Sequence, residues 1–271
     1  MQIRSVSVAE RRARFRDLHE RSEVFVLPNP WDVGSARLLA ACRFEALATT
    51  SAGLAWSLGL HDQTVTRSDL VAHVAALATA TALPLAVDSE RCYAEDLAGV
   101  AETVAMLADA GAAGCSIEDY DPLAGTIDDI DKASERVAAA AAAAHRGDPM
   151  VLTARAENLL YGLGDLDDTI TRLIAYRAAG ADVVHAPGLR DPAHISALVG
   201  AVDAPVNVLA LPDGPTVAEL GALGVRRVST GSSLARAAYG ALMAGARELR
   251  TQGSSRYARS GLSPEDRTAA F

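Results

Sequence analysis

The sequence predicts a single (β/α)8 barrel, and three observations carry that reading. Eight short apolar stretches alternate with eight helical stretches along the chain. The apolar stretches are near-continuous, as parallel strands buried on both faces must be. Most of them end in polar or charged side chains, and in a barrel all strand C-termini open on one face, where chemistry sits. The 271 residues suit a fold of typically about 250. A doubly wound open sheet is the competing architecture. Its glycine-rich turn after the first strand is replaced here by Asn29-Pro30-Trp31-Asp32-Val33-Gly34.

Taken in order, Ser7 to Ser22 reads as a charged amphipathic helix whose apolar side carries Phe15 and Leu18. Val24 to Asn29 is the first strand, and Asp32 caps a helix running to about Cys42. Ala46 to Ser51 is the second strand, followed by a loop, Ala52-Gly53-Leu54, that continues to His61-Asp62. Thr66 caps a helix from Arg67 to Thr81, and Leu83 to Glu90 is the third strand. Glu95 to Ala110 is helical, Gly114 to Asp119 is strand four, and Asp128 to His145 is helical because its alanine run is the best helix former. Strand five, Met150 to Glu157, precedes a helix from Asp165 to Ala179. Strand six, Asp182 to Pro187, precedes Asp191 to Val202, with Pro192 in its first turn. Pro205 to Ala210, Pro215 to Leu223, Arg226 to Gly231 and Ser232 to Thr251 complete the alternation. One unit over 1–252 is expected, with a polar C-terminal tail over 253–271 that is loose or lies on a neighbouring subunit.

Composition narrows the function. The net charge is −9 with no Lys/Arg cluster, which argues against a nucleic-acid groove and favours a small-molecule partner. No apolar run reaches the roughly 18 residues of a membrane span, and the Arg/Glu-rich start lacks the apolar core of a leader. Three cysteines without CxxC spacing argue against a disulfide framework or a zinc site. The expectation is a soluble cytoplasmic protein.

The strand ends supply the candidate chemistry. Val87-Asp88-Ser89-Glu90 puts two acids two residues apart, so both point the same way if the strand continues through them. Ser116-Ile117-Glu118-Asp119 ends in acids, of which Glu118 is favoured as the inward one. Thr153-Ala154-Arg155 ends in a cation. Trp31, Ser51, Gly53, Asp62, His185 and Asn207 occupy equivalent ends or the loops beyond them, and Tyr120 lies in the loop after strand four as a lid residue. The set is rich in hard oxygen ligands with one central cation, which suits Mg2+ (or Mn2+) better than zinc.

At these residues the chain resembles the isocitrate lyase/phosphoenolpyruvate mutase superfamily. The resemblance is carried by Leu47 to Leu54, Val87 to Glu90, Ser116 to Asp119, Thr153 to Arg155, Ala179 to Asp182 and Gly224 to Ser232, in order from about Val24 to Arg250. It implies a barrel whose last helix is exchanged with a neighbour, giving a homodimer or homotetramer. It also implies Mg2+ and a small carboxylic acid substrate of the 2-oxo or 2-hydroxy type. By position, Asp88 matches the direct metal ligand, while Glu90 and Glu118 match acids that hold the metal's waters. Asp62 matches another acid of that shell. Ser51, Ala52 and Gly53 match a loop whose amides hold the substrate carboxylate, and Arg155 matches the arginine on substrate oxygens. The Lys-Lys-Cys-Gly-His-type segment of true isocitrate lyases is absent from Asp119 to Asp128, as are the mutase's lysine and asparagine, and Gly188 stands where lyases carry a glutamate. The resemblance therefore implies a carbon–carbon lyase, decarboxylase or hydrolase working through a metal-stabilised enolate, with a water on the metal, Tyr120 or His185 as the proton donor. The alternatives are P–C bond chemistry and a non-catalytic binding barrel.

Overall fold

The protein is described here by a computed structural model covering residues 6–271; residues 1–5, the start of the predicted 1–252 unit, lie outside the described part. Helix α1 (Val8–Glu20) comes first, with a capping box between Ser7 and Glu10. The barrel strands are β1 (Phe25–Leu27), β2 (Leu47–Ala48), β3 (Leu85–Val87), β4 (Gly114–Glu118), β7 (Val151–Arg155), β8 (Val183–His185), β9 (Val206–Leu209) and β10 (Arg227–Ser229). A small antiparallel hairpin, β5 (Tyr120–Asp121) and β6 (Thr126–Ile127), follows β4. The eight barrel strands are parallel, in the order β1-β10-β9-β8-β7-β4-β3-β2. The backbone N–H of Ala48 donates to the Pro28 carbonyl at 3.1 Å across the remaining seam, so the sheet is nearly closed into a (β/α)8 barrel.

The helices that wrap it are α2 (Val33–Ala41), α4 (Arg67–Ala80), α5 (Leu97–Asp109), α6 (Ile130–Ala144), α8 (Leu166–Ala178), α9 (Pro192–Ala201), α10 (Val217–Ala222) and α11 (Ser233–Gln252). Two short helices, α3 (Ser51–Ser57) and α7 (Asn158–Tyr161), sit in loops beyond strand ends, and α12 (Pro264–Ala270) ends the chain. Among the described residues no helix is long and apolar enough to cross a membrane.

Period-two alternation sorts each strand. Leu85, Val87, Ile117, Leu152, Ala154 and Val184 face outward into the large core under the helices. Phe25, Leu27, Ala48, Ala86, Val151 and Val183 face inward and pack with Phe15 and Leu18 of α1. Helix α1 thus plugs the N-terminal mouth, and Gly114 is required there because an added Cβ would stand 2.8 Å from the Phe15 ring. Above that plug the interior residues are small or polar, including Ala86, Ser116, Thr153, Asn207 and Ser229, so the upper barrel is hollow.

Three expectations need correction. The predicted loop at Ala52-Gly53-Leu54 is helical, because the Thr50 hydroxyl caps α3 by accepting from Gly53 N–H at 3.3 Å. β3 stops at Val87, so Asp88 and Glu90 do not share a strand face; Glu90 lies in the turn that follows and has φ +46°. The loop after strand four holds a short antiparallel hairpin, with Tyr120 in its first strand. The tail over 253–271 is ordered within this chain: a 3-10 turn at Arg256–Ser260 packs on α11, and α12 packs on α2.

Candidate active site

Arg155 ends β7, and its guanidinium collects carboxylates from three places. NH1 donates to Asp88 Oδ1 at 2.6 Å, Nε to Glu157 Oε1 at 2.7 Å, and NH2 ion-pairs with Glu118 Oε2 at 3.3 Å. The parallel register makes Glu118 and Arg155 direct partners, which is why neighbouring strand ends deliver opposite charges to one point. Burial alone would depress Arg155, but Glu157, Asp88 and Glu118 outweigh it and hold it firmly protonated. Burial raises Glu118 and Glu157 despite the opposing pull of Arg155.

Asp119, the next residue, points the other way, into the helix layer. It accepts from Tyr176 Oη at 2.6 Å, Glu157 N–H at 2.9 Å and Arg172 NH1 at 3.3 Å. Glu118 is therefore the inward acid, as strand alternation predicts.

Asp88 is fixed from both sides: Oδ2 accepts from Ser51 N–H at 2.9 Å, opposite the Arg155 bond, and Asp88 N–H donates to Thr49 Oγ1 at 2.9 Å. The turn beyond it is strained, with positive φ at Glu90, Cys92 and Tyr93. Arg136 of α6 holds it by donating to the carbonyls of Arg91, Ala94 and Glu95 at 2.7–3.0 Å. This turn buries Glu90 with Oε1 unpartnered, and burial, then Asp88 and Asp62, push its carboxyl up to about 8.

A cavity of about 200 Å3 opens among the strand ends. Of the sequence-predicted residues, Ser51, Ala52, Asp62, Asp88, Arg155, His185 and Asn207 line it. Trp31 instead packs toward Tyr239 of α11, at 6.4 Å between ring centroids, and against Gly53, where a Cβ would meet Trp31 Cβ at 2.9 Å. The amides of Ser51 and Gly53 are taken by Asp88 and Thr50, which leaves that of Ala52 to a ligand. His185 is buried and well below its ordinary pKa, through burial and the nearby Arg155, so it is a neutral ring. Tyr120 lies outside the lining and stacks on Tyr161 at 3.6 Å, which ties the hairpin to α7 over the mouth.

Sequence reasoning gave no role to several residues now placed here. Glu157 is bound to Arg155, and Gln63 donates to Glu118 Oε1 at 3.3 Å. Asn29 clamps the first and last strand ends, accepting from Thr230 and Gly231 N–H at 2.9 Å each. Arg227 lies inside the barrel below the others. Its signal was present in Val225-Arg226-Arg227-Val228, because alternation must turn one of two adjacent strand arginines inward.

Asp88, Glu118 and Glu157 pair with one guanidinium, and buried Glu90 and exposed Asp62 lie near Asp88, a surplus of acids over bases that suits a cation. Among the described residues no three His, Cys, Asp or Glu side chains form a ready-made cage. Mg2+ takes one or two carboxylates and completes its shell with water and substrate oxygens. The hard-oxygen donors and the unpartnered Glu90 Oε1 fit such an ion beside Asp88.

The profile described as phosphoenolpyruvate phosphomutase matches residues 15–250. A solved structure from Burkholderia cenocepacia J2315 superposes with TM-score 0.92 at 47% identity, covering 96% of this chain and 94% of that one. An uncharacterized protein of Mycobacterium tuberculosis H37Rv is 39% identical over 80% of this chain and 81% of its own. An oxaloacetate decarboxylase of Chromohalobacter salexigens is 31% identical over 80% of this chain and 77% of its own.

Proposed function

The chain belongs to the isocitrate lyase/phosphoenolpyruvate mutase superfamily, and from that premise we propose a Mg2+-dependent carbon–carbon lyase, decarboxylase or hydrolase acting on a small 2-oxo or 2-hydroxy di- or tricarboxylic acid. The observation that carries the reading is the Arg155 cluster: one guanidinium held by Asp88, Glu118 and Glu157 at the barrel cavity. The similarity to an oxaloacetate decarboxylase supports the substrate class. So does the cavity, whose volume of about 200 Å3 lies below the ~300–1,000 Å3 of drug-sized sites.

Arg155 docks the substrate's oxygens and stabilises the negative charge that develops there as the carbon–carbon bond breaks. Asp88, locked between Arg155 and the Ser51 amide, would hold Mg2+, with Glu90, Glu118 and Asp62 behind it. The ion would supply Lewis-acid stabilisation of the enolate. Ala52 N–H offers a donor to the substrate carboxylate. Leu160 of α7 lines the cavity, and the Tyr120–Tyr161 stack beside it limits water entry. His185, being neutral, acts by hydrogen bonding; it does not deliver a proton as an imidazolium. The unpartnered apolar residues of α11 further lead us to propose a homodimer or homotetramer, and the three unpaired cysteines suit the cytoplasm.

The test is a panel of 2-oxo and 2-hydroxy di- and tricarboxylates with Mg2+, following pyruvate, glyoxylate, CO2 and phosphate. Carbon–carbon cleavage that requires Mg2+ and disappears in Asp88→Asn is expected. Phosphate release from phosphonopyruvate would move the protein to P–C chemistry. That reading is disfavoured because the Asp119–Asp128 segment offers no lysine or asparagine.

A further inference from the structure

We infer that the floor of the cavity is a second carboxylate subsite, built on Arg227, which receives the distal carboxylate of a dicarboxylic substrate. The inference rests on the reading of the Arg155 end as the site that binds the 2-oxo or 2-hydroxy acid head.

Arg227 begins β10, faces the barrel interior and is 5% exposed. Its Nε donates to Asn207 Oδ1 at 2.9 Å, NH2 to Thr153 Oγ1 at 3.0 Å and NH1 to His19 Nε2 at 3.2 Å. A guanidinium only donates, so His19 Nε2 accepts and Nδ1 carries the ring proton, donating to the Phe15 carbonyl at 2.8 Å. All three partners are neutral. Among the described residues, the other buried arginines differ: Arg11, Arg12 and Arg136 donate to backbone carbonyls, and Arg91 pairs with Asp121 and Asp128. Arg227 bonds only to neutral side chains, and burial without a counter-charge pulls it down to about 9. An uncompensated buried cation is costly to maintain. Its three bonds leave one N–H on each terminal nitrogen, a pair that matches a carboxylate's two oxygens.

Register connects this cation to the catalytic end. Glu118, Arg155, His185, Asn207 and Arg227 are successive strand partners across β4, β7, β8, β9 and β10. Barrel strands tilt by about 36°, so such a row descends the wall from the mouth inward. Three strand spacings separate Arg155 from Arg227, roughly 14 Å along the wall, and two long side chains shorten the gap between their guanidinia. His185 lies between and is influenced by both. Arg227, Thr153, Asn207, Ser116 and Ser229 all line the same cavity. A short diacid can thus place its head at Arg155 and its far carboxylate at Arg227.

Binding of four probes, each with Mg2+, to the whole chain tests this by calorimetry. Oxalate reaches only the Arg155 end. Malate and 2-hydroxybutyrate share four carbons and differ in the distal carboxylate. Malate should bind at least about tenfold more tightly than 2-hydroxybutyrate. Arg227→Gln should abolish that preference and leave oxalate binding within about twofold of wild type. Equal binding of malate and 2-hydroxybutyrate to the wild type would overturn the inference, and needs no variant to fold. So would an equal weakening of oxalate, malate and 2-hydroxybutyrate binding by Arg227→Gln, which marks a structural role. Tighter binding of 3-phosphonolactate than of malate would overturn the carboxylate assignment. Failure of oxalate to bind, or indifference of oxalate to Arg155→Lys, would instead strike the underlying reading of the Arg155 end.

Discussion

At the scale of single residues, Arg155 and His19 make opposite uses of burial. Arg155 stays charged because three carboxylates surround it, and those carboxylates stay in place because it is there. Lysine presents one compact ammonium where arginine presents a planar fork. Arg155→Lys is therefore expected to lower kcat/KM by roughly 10²–10³ while preserving the far-ultraviolet circular dichroism of the barrel. His19 is held neutral, its pKa pulled down to about 3 by burial and by Arg227. The unfolded chain binds a proton that the folded chain refuses. Stability from this group is thus complete above its ordinary 6.5 and is lost as pH falls below that, by up to about 1.4 kcal/mol per pH unit. Denaturant titrations at pH 7.5 and pH 5 should show the loss, and His19→Gln should reduce it. A slope unchanged by His19→Gln would remove His19 as the cause.

Among elements, the short pieces beyond the strand ends decide the site, and they were the least legible. The Thr50 cap that turns Ser51–Ser57 into a helix was hidden because Ser, Ala and Gly also suit a loop. The turn from Glu90 to Tyr93 was unreadable because nothing in Glu-Arg-Cys-Tyr asks for positive φ; Arg136, more than forty positions away, imposes it. Gly188 behaves differently. It has φ +89°, and an added Cβ would sit 3.1–3.2 Å from the α7 backbone at Leu159 and Leu160. The residue that departs from the lyases' glutamate thus lets α7 close over the cavity. Gly188→Ala should cost about 1–3 kcal/mol and raise KM more than it lowers kcat, as read from thermal melts and steady-state kinetics. A KM equal to wild type would detach α7 from substrate capture.

Viewed as a whole, the barrel was legible because its signals repeat. Eight apolar stretches agree with one another, and a strand written Thr153-Ala154-Arg155 can only alternate one way once its ends are known. The convergence of Asp88, Glu118 and Arg155 followed from strand ends alone. Arg227 did not, because depth inside a barrel depends on the stagger between strands, which no single stretch encodes. The tail also escaped, since its contact with α2 is long-range. Helix α11 remains sparsely covered within the chain: only Ala235 and Gly245 are buried, while Leu242, Met243 and Leu249 are exposed. The proposed association of copies through this helix predicts a mass of two or four chains of 28.1 kDa by light scattering, and Leu242→Asp with Met243→Asp should shift it toward the monomer. A monomer in the wild type at micromolar concentration would contradict that association.

The most direct measurement for the central claim is Mg2+-dependent turnover of the diacid panel by wild type and Asp88→Asn, against the rate without enzyme. Cleavage of at least one member is expected that rises with Mg2+, is abolished by chelation and falls to background in Asp88→Asn. Equal turnover by the two proteins, or none above background with every acid, would contradict it.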